Sequence, residues 1–300
     1  MVELNQTGAV FRVMSGSFII GVPVVLGFIA IWFVESEKKV RWWQCIVAPW
    51  PAGLLFLGSA LALVWEGIIC VVLWLPLVMF LSSLGGIIAG VLRHFWPRQP
   101  GRLYCAAIAA LLPFAAAPLE NLRAAAVEIR TVNTQVEIFA DRAEVWRQIR
   151  SVPRIAPTEN GFSFSNLLGF PRPLEARLVG TGVGAVRYAT FEAGVLFVET
   201  VTEWEEGRTL AFSIRADTKN IPPATFDEHV TIGGPYFDVL DGRYAIEDLG
   251  GGWVRLHLSS RQRLSTRFNF YSHLWTEWLM ADLQRNILGI IRHRAEDSKS

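Results

Sequence analysis

Twenty-two consecutive residues, Val13 to Val34, carry no charged side chain. As a helix rising about 1.5 Å per residue, such a run crosses a hydrocarbon core of roughly 30 Å. It lacks a cleavage-site pattern before the charged cluster Glu35, Glu37, Lys38, Lys39 and Arg41, so it reads as an uncleaved anchor. From Ile46 to Leu92 the only charged residue is Glu66, and so long a stretch crosses twice, turning near Trp65, Glu66 and Gly67. A fourth candidate, Leu103 to Leu119, is short and Ala-rich and holds Pro113 and Pro118. The expected layout is a transmembrane region over residues 1–119, with spans at about 13–34, 46–65, 67–92 and 103–119. A connector at 120–130 and a second domain at 131–297 follow.

The charges confirm two parts: residues 1–126 hold only 8 of the 28 Lys+Arg and 5 of the 27 Asp+Glu. A formal net charge of +1 supplies no basic face for nucleic acid, so no such partner is expected. The three cysteines, Cys45, Cys70 and Cys105, all lie in the apolar part, which leaves the charged part without a disulfide framework or a Cys-based metal site. Lys38, Lys39 and Arg41 in the first loop and Arg93, Arg98 and Arg102 in the third place both loops in the cytoplasm. Four spans then put the charged part outside the cytoplasm, three keep it inside, and four are adopted. Trp42, Trp43, Trp50, Trp65, Trp74 and Trp96 fall near span ends or loops, where indoles anchor at the interface. Glu66 is the single acid within the apolar stretch and reads as a solvated turn carboxylate; this half is an anchor, with room for a membrane-protein partner.

Beyond residue 130 the periodicity changes. Val132 to Ala140 has strand character and ends at Asp141, an N-cap for a helix over Arg142 to Arg150, with Glu144 placed to complete a capping box. Ser151 to Pro173 is long and irregular, a kind of segment that is more often functional than not. Six strands follow: Leu174–Val179, Ala185–Phe191, Val195–Trp204, Leu210–Ala216, Tyr236–Glu247 and Trp253–Leu264. Their short Gly-bearing links make an antiparallel meander. The Gly180–Gly184 link joins two strands with no helix after it, so it is a turn and not a phosphate loop. A final helix, about Tyr271 to Ala295, places Trp275, Leu279, Met280, Leu283, Ile287 and Ile290 on a stripe toward the sheet. Ser272 and Thr276 share the start of that stripe, where small side chains leave a cavity mouth. Leu274, Trp278, Ala281 and Leu288 are expected opposite, as a second apolar patch.

This order is that of an α+β helix-grip fold, an antiparallel sheet around a long C-terminal helix, here preceded by an all-α transmembrane region of about four helices. The passages Val132 to Val145, Gly182-Val-Gly-Ala-Val-Arg-Tyr188, Val198-Glu-Thr-Val-Thr-Glu-Trp204 with Gly207 and Leu210, and the helix near Trp275 resemble the SRPBCC superfamily. That superfamily includes START lipid-transfer domains, the birch-pollen-allergen fold and polyketide cyclases. Together with the spans, the chain resembles bacterial membrane-anchored members. The resemblance implies a cavity for a lipid or other hydrophobic small molecule, held at a bacterial inner membrane; the four-span count puts the domain on the non-cytoplasmic side. An enzyme of the cyclase or dehydratase type and a regulatory module for a membrane partner are the alternatives.

The ligand-binding candidates are Arg187, Tyr188, Glu199, His229, Tyr244, Ser260, Gln262, Tyr271, Ser272, Trp275 and Thr276. On Trp253–Leu264, Val254, Leu256 and Leu258 alternate inward; Ser260 and Gln262 share that parity, and Arg255, His257, Ser259, Arg261 and Arg263 face out. Around Glu199, apolar residues occupy both parities, and two readings stand. Either Glu199 is buried and paired with Arg187, or the two make a solvent-facing cross-strand pair. Asp227, Glu228 and His229 place acid-base groups in a link that also reads as an ordinary charged loop. No His or Cys spacing suits a metal, and neither a metal nor a cofactor is expected.

Overall fold

The computed structural model describes residues 16–34, 40–63, 68–96, 101–120, 124–217 and 232–298. It divides into two compact units, Met1–Ala126 and Val127–Ser300.

Among its described residues the first unit holds five helices: α1 (Gly16–Trp32), α2 (Trp42–Val47), α3 (Trp50–Ala62), α4 (Ile68–Phe95) and α5 (Arg102–Glu120). Small residues sit where the helices meet. A Cβ at Gly27 would overlap the Ser82 carbonyl, one at Gly85 the Val24 carbonyl, and one at Gly86 the Cys45 carbonyl. Backbones therefore touch along α1 and α4, as in small-residue packing between apolar helices. The Ser83 hydroxyl accepts from Trp50 Nε1 (3.0 Å) and reaches the Ile46 carbonyl (2.9 Å). The Glu120 carboxylate at the end of α5 accepts from the amides of Gly16 (2.7 Å) and Ser17 (2.8 Å), capping the open N–H groups of α1.

About four spans are expected, whereas among the described residues two helical stretches are long and apolar enough to cross a membrane: Trp42–Ala62, which unites α2 and α3, and Ile68–Phe95. Gly16–Trp32 and Leu103–Pro118 are apolar but shorter, and 17 residues reach only about 25 Å as a helix. Val13 to Ser15, which would extend the first, lie outside the described residues, as do Trp65 and Glu66. The placement of the second unit outside the cytoplasm, which needs four crossings, loses that support. Trp42, Trp43 and Trp96 are exposed at helix ends as expected, but Trp74 is buried within α4.

The second unit is α+β, as expected. Seven antiparallel strands, β1 (Glu128–Ile138), β2 (Pro173–Val179), β3 (Val186–Phe191), β4 (Leu196–Glu205), β5 (Thr209–Asp217), β6 (Phe237–Gly250) and β7 (Trp253–Leu264), lie in the order β1-β7-β6-β5-β4-β3-β2. After β1 come α6 (Arg142–Arg150) and α7 (Phe164–Leu167), and α8 (Asn269–Asp297) ends the unit. This is the helix-grip arrangement. The capping box is absent: Glu144 instead receives bonds from Arg147 and Gln148, and the Asp141 side chain makes no cap bond. Gly180, Gly182 and Gly184 all have φ near +80°, the left-handed backbone a Gly-rich turn needs.

The core joins Ile138, Val145, Ile149, Leu210, Leu256 and Leu258 to Leu288, Ile291 and Ala295 of α8. The expected α8 stripe holds in part: Ile290 is buried and Ile287 packs on the core, and Leu274 and Trp278 are exposed opposite, but Leu288, expected on the far side, is buried, while Trp275, Leu279, Met280 and Leu283 are only half-buried. Among the inward residues is Gln284, whose amide bonds Ser260 (2.7 Å) and Thr134 (2.8 Å) on the inner face of the sheet. A polar side chain so satisfied is tolerated in the interior.

Candidate functional site

The inner face of the sheet carries an ionic cluster inside the unit. In β3 and β4 the register pairs Arg187 directly with Glu199, and Phe197, Glu199 and Val201 all face inward. This decides between the two orientations: both side chains are buried, and the Arg187 guanidinium donates from Nη1 to Glu199 Oε2. From β6, buried Tyr244 acts on the same guanidinium. From β5, the Phe212 ring lies 5.5 Å from the Arg187 Cζ, a cation–π contact. Gly242 makes room for that ring, since a Cβ there would stand 2.7 Å from it. Burial pushes the Glu199 carboxyl above its ordinary range, with the Arg187 charge working against that. Burial likewise raises the Tyr244 hydroxyl. Arg187 Nε, also buried, has no hydrogen-bond partner.

A second polar group lies on β7. Gln262 is fully buried and its Nε2 donates to Thr276 Oγ1 of α8 (3.2 Å), while its Oε1 is buried without a partner. Ser260 faces inward beside it and receives the bond from Gln284. At the start of α8, Ser272 Oγ lies 2.9 Å from Thr266 Oγ1 and also bonds the Phe268 carbonyl. Tyr271, Trp275 and Trp278 form a chain of edge-on aromatic contacts on the first turns. From Phe270 to Leu283 no side chain of α8 is fully buried, whereas Gln284, Asn286, Leu288, Ile290, Ile291 and Ala295 beyond it are. The helix therefore seals the sheet at its far end and rests on it loosely at its beginning.

The segment between α6 and β2 is fastened to α8. Asp282 accepts from Ser163 Oγ (2.6 Å) and the Ser165 amide (2.9 Å), and Arg294 pairs with Glu159 (2.6 Å).

Arg187, Glu199, Tyr244, Ser260, Gln262 and Thr276 thus gather on the inner side. Ser272 and Trp275 stand at its edge. Tyr188 is corrected: strand alternation turns it to the convex face, where it is exposed opposite Val198. His229, with Asp227 and Glu228, lies outside the described residues. His257 sits on the convex face with Glu247 (3.1 Å), as its parity predicts. Three residues were not anticipated: Phe212, Thr134 and Gln284. Phe212 and Gln284 share one signal, a position facing an inward residue on a neighbouring element, which sequence alone does not pair. Among the described residues no three His, Cys, Asp or Glu side chains cluster to hold a metal.

No family model matches the chain, and no curated protein matches it. Solved structures do. A norcoclaurine synthase point mutant from Thalictrum flavum, in complex with a transition-state analogue, is 12% identical; the match covers 58% of this chain and 99% of that one, with a TM-score of 0.37. A START superfamily protein from Mycobacterium smegmatis is 11% identical, covering 56% and 98%, with a TM-score of 0.38. The Aha1 dimer from Colwellia psychrerythraea is 13% identical, covering 57% and 99%, with a TM-score of 0.31. Superpositions this partial assign neither ligand nor activity, and the site is read from the chain's own geometry.

Proposed function

We propose that this chain is a membrane-anchored member of the SRPBCC superfamily whose helix-grip unit binds a lipid or another hydrophobic small molecule between the sheet and the first turns of α8. The observation that carries the reading is the pair of buried, unpartnered polar atoms on the inner face of the sheet, Arg187 Nε and Gln262 Oε1, the second on a side chain that meets Thr276 in the loosely seated half of α8. Buried polar groups are ordinarily satisfied, and a mostly apolar ligand with a few polar atoms is what such groups orient. Arg187 offers a donor and Gln262 an acceptor.

Anchoring is supported by how the first unit is packed. Gly27, Gly85 and Gly86 let its helices meet backbone to backbone, while Leu55, Phe80, Leu103, Ile108 and Leu111 are turned outward. Exposed large apolar side chains together with such close helix contacts suit a lipid surround. Binding is tested by extracting the purified full chain and identifying co-purified lipids by mass spectrometry, beside a Thr276→Trp variant. The wild type is expected to retain an apolar molecule near one per chain, and Thr276→Trp to lose it with little change in melting. Unchanged retention with a stability loss of about 1–3 kcal/mol, the mark of an overfilled core, would place Thr276 against packed atoms and overturn the reading.

A further inference from the structure

The first half of α8 bears a second surface that the inner site does not use. Phe270, Leu274 and Trp278 are spaced four apart, fall on one stripe, and are all exposed. Beside them the segment ahead of β2 presents Phe162, 89% exposed, and Leu167, 69% exposed. These side chains stand on a fixed support. Asp282 holds Ser163 and Ser165, Asn286 Oδ1 accepts from the Gly161 amide (3.2 Å), and the Phe164 ring meets Trp278 edge-on at 4.6 Å. An exposed apolar surface this concentrated marks an interaction site. Seven and fourteen residues beyond Trp278 the same stripe carries Arg285 and Arg292, both exposed.

We propose that this surface docks the sheet unit on an anionic lipid bilayer, with Phe162, Leu167, Phe270, Leu274 and Trp278 entering the interface and the α8 arginines meeting lipid phosphates. Aromatic and leucine side chains beside basic ones are the chemistry of interfacial binding. A second copy of the chain would bring the same bases to the contact, whereas an anionic lipid brings their counter-charge. The inference rests on the membrane reading of the first unit. Seven residues, 121–127, separate the end of α5 from the start of β1 and keep the sheet unit tethered to it.

The test uses the full chain with exposed Cys105 changed to Ser, and a single new cysteine at Phe162→Cys, Leu274→Cys or, as a control on the convex face, Thr200→Cys. Each is labelled with an environment-sensitive fluorophore and reconstituted into phosphatidylcholine vesicles, with or without phosphatidylglycerol, doped with a shallow spin-labelled lipid. Quenching at 162 and 274 is expected to exceed that at 200 several-fold and to rise with phosphatidylglycerol. Arg285→Glu with Arg292→Glu is expected to cancel that rise. Equal quenching at all three positions overturns the docking, as does protection at 162 and 274 that appears only as more chains are loaded per vesicle, the mark of a second copy. Alkaline carbonate extraction reads the anchoring separately. Retention with water-exposed labels removes the docking alone; release removes the anchoring, and quenching on added vesicles then still decides the docking.

Discussion

The two units cohere by different contacts. In the helical unit glycines bring helices together backbone against backbone, beside a buried cluster of Ile31, Trp32, Cys45, Ala89 and Ala106. In the sheet unit Leu210, Leu256, Leu288 and Ile291 fill the centre, and the convex face carries charge, as where Arg255 of β7 joins Glu137 of β1 and Glu247 of β6. The hydrophobic effect alone produces the second pattern. It does not by itself produce the first, where close backbone approach adds to side-chain burial as a source of cohesion. Tolerance to mutation should therefore differ: added bulk is ruinous in one unit and absorbed in the other.

The sharpest way to break this contrast is Gly85→Leu. Its side chain has no space against the Val24 backbone, so the α1–α4 contact is expected to be lost, with the full chain no longer recovered as a monodisperse species in detergent. Gly242→Ala meets only the Phe212 ring and is expected to cost about 1–3 kcal/mol in thermal unfolding. Equal tolerance at both sites would dissolve the distinction.

Next in size is the buried ion pair. Glu199→Ala leaves the Arg187 charge without its partner and is expected to cost about 3–5 kcal/mol. Replacing both, Arg187→Met with Glu199→Leu, should recover much of that in the same melting measurement. A double variant as unstable as the single would mean that Arg187 is held chiefly by Tyr244 and Phe212.

Acid should separate regions within the sheet unit. The Arg294 bond holds the Glu159 carboxyl below its usual value. Burial works to raise Asp282, but the bonds from Ser163 and Ser165 outweigh it and leave that carboxyl lowered. Stability from such groups is present above the ordinary carboxylate pKa and lost as pH falls through the depressed values. Glu199 has the opposite sign, because a raised carboxyl favours the folded state toward acid. Hydrogen exchange followed down through the carboxylate range is expected to rise first in residues 151–173, before strands β3 and β4. The smallest effect is on the convex face, where Glu203→Ala removes an exposed pair with Arg243 and should change stability by at most about 1 kcal/mol.

Strict alternation made β7 readable to the residue, including the inward turn of Ser260 and Gln262. It failed at Glu199 because Leu196 and Val198 are apolar on the other parity, and only pairing with β3 and β5 selects a face. The inward turn of Leu288 and Gln284 in α8 was hidden for a related reason. A hydrophobic stripe assumes that apolar residues face in, and Gln284 breaks it through partners 24 and 150 residues away. In the helical unit, hydropathy located the apolar stretches but was blind to the seam, which is written in residue size: Ser82, Gly85, Gly86, Ala89 and Gly90.

The carboxylate of Glu120 on the first amides of α1 has a topological consequence. It ties the start of α1 to the end of α5, at one end of an antiparallel pair in which Gly21 also meets Pro113. On the membrane reading proposed above, a path whose two ends lie together crosses a bilayer an even number of times, and a tag inserted ahead of Gly16 and one fused at Ser300 should then report the same side.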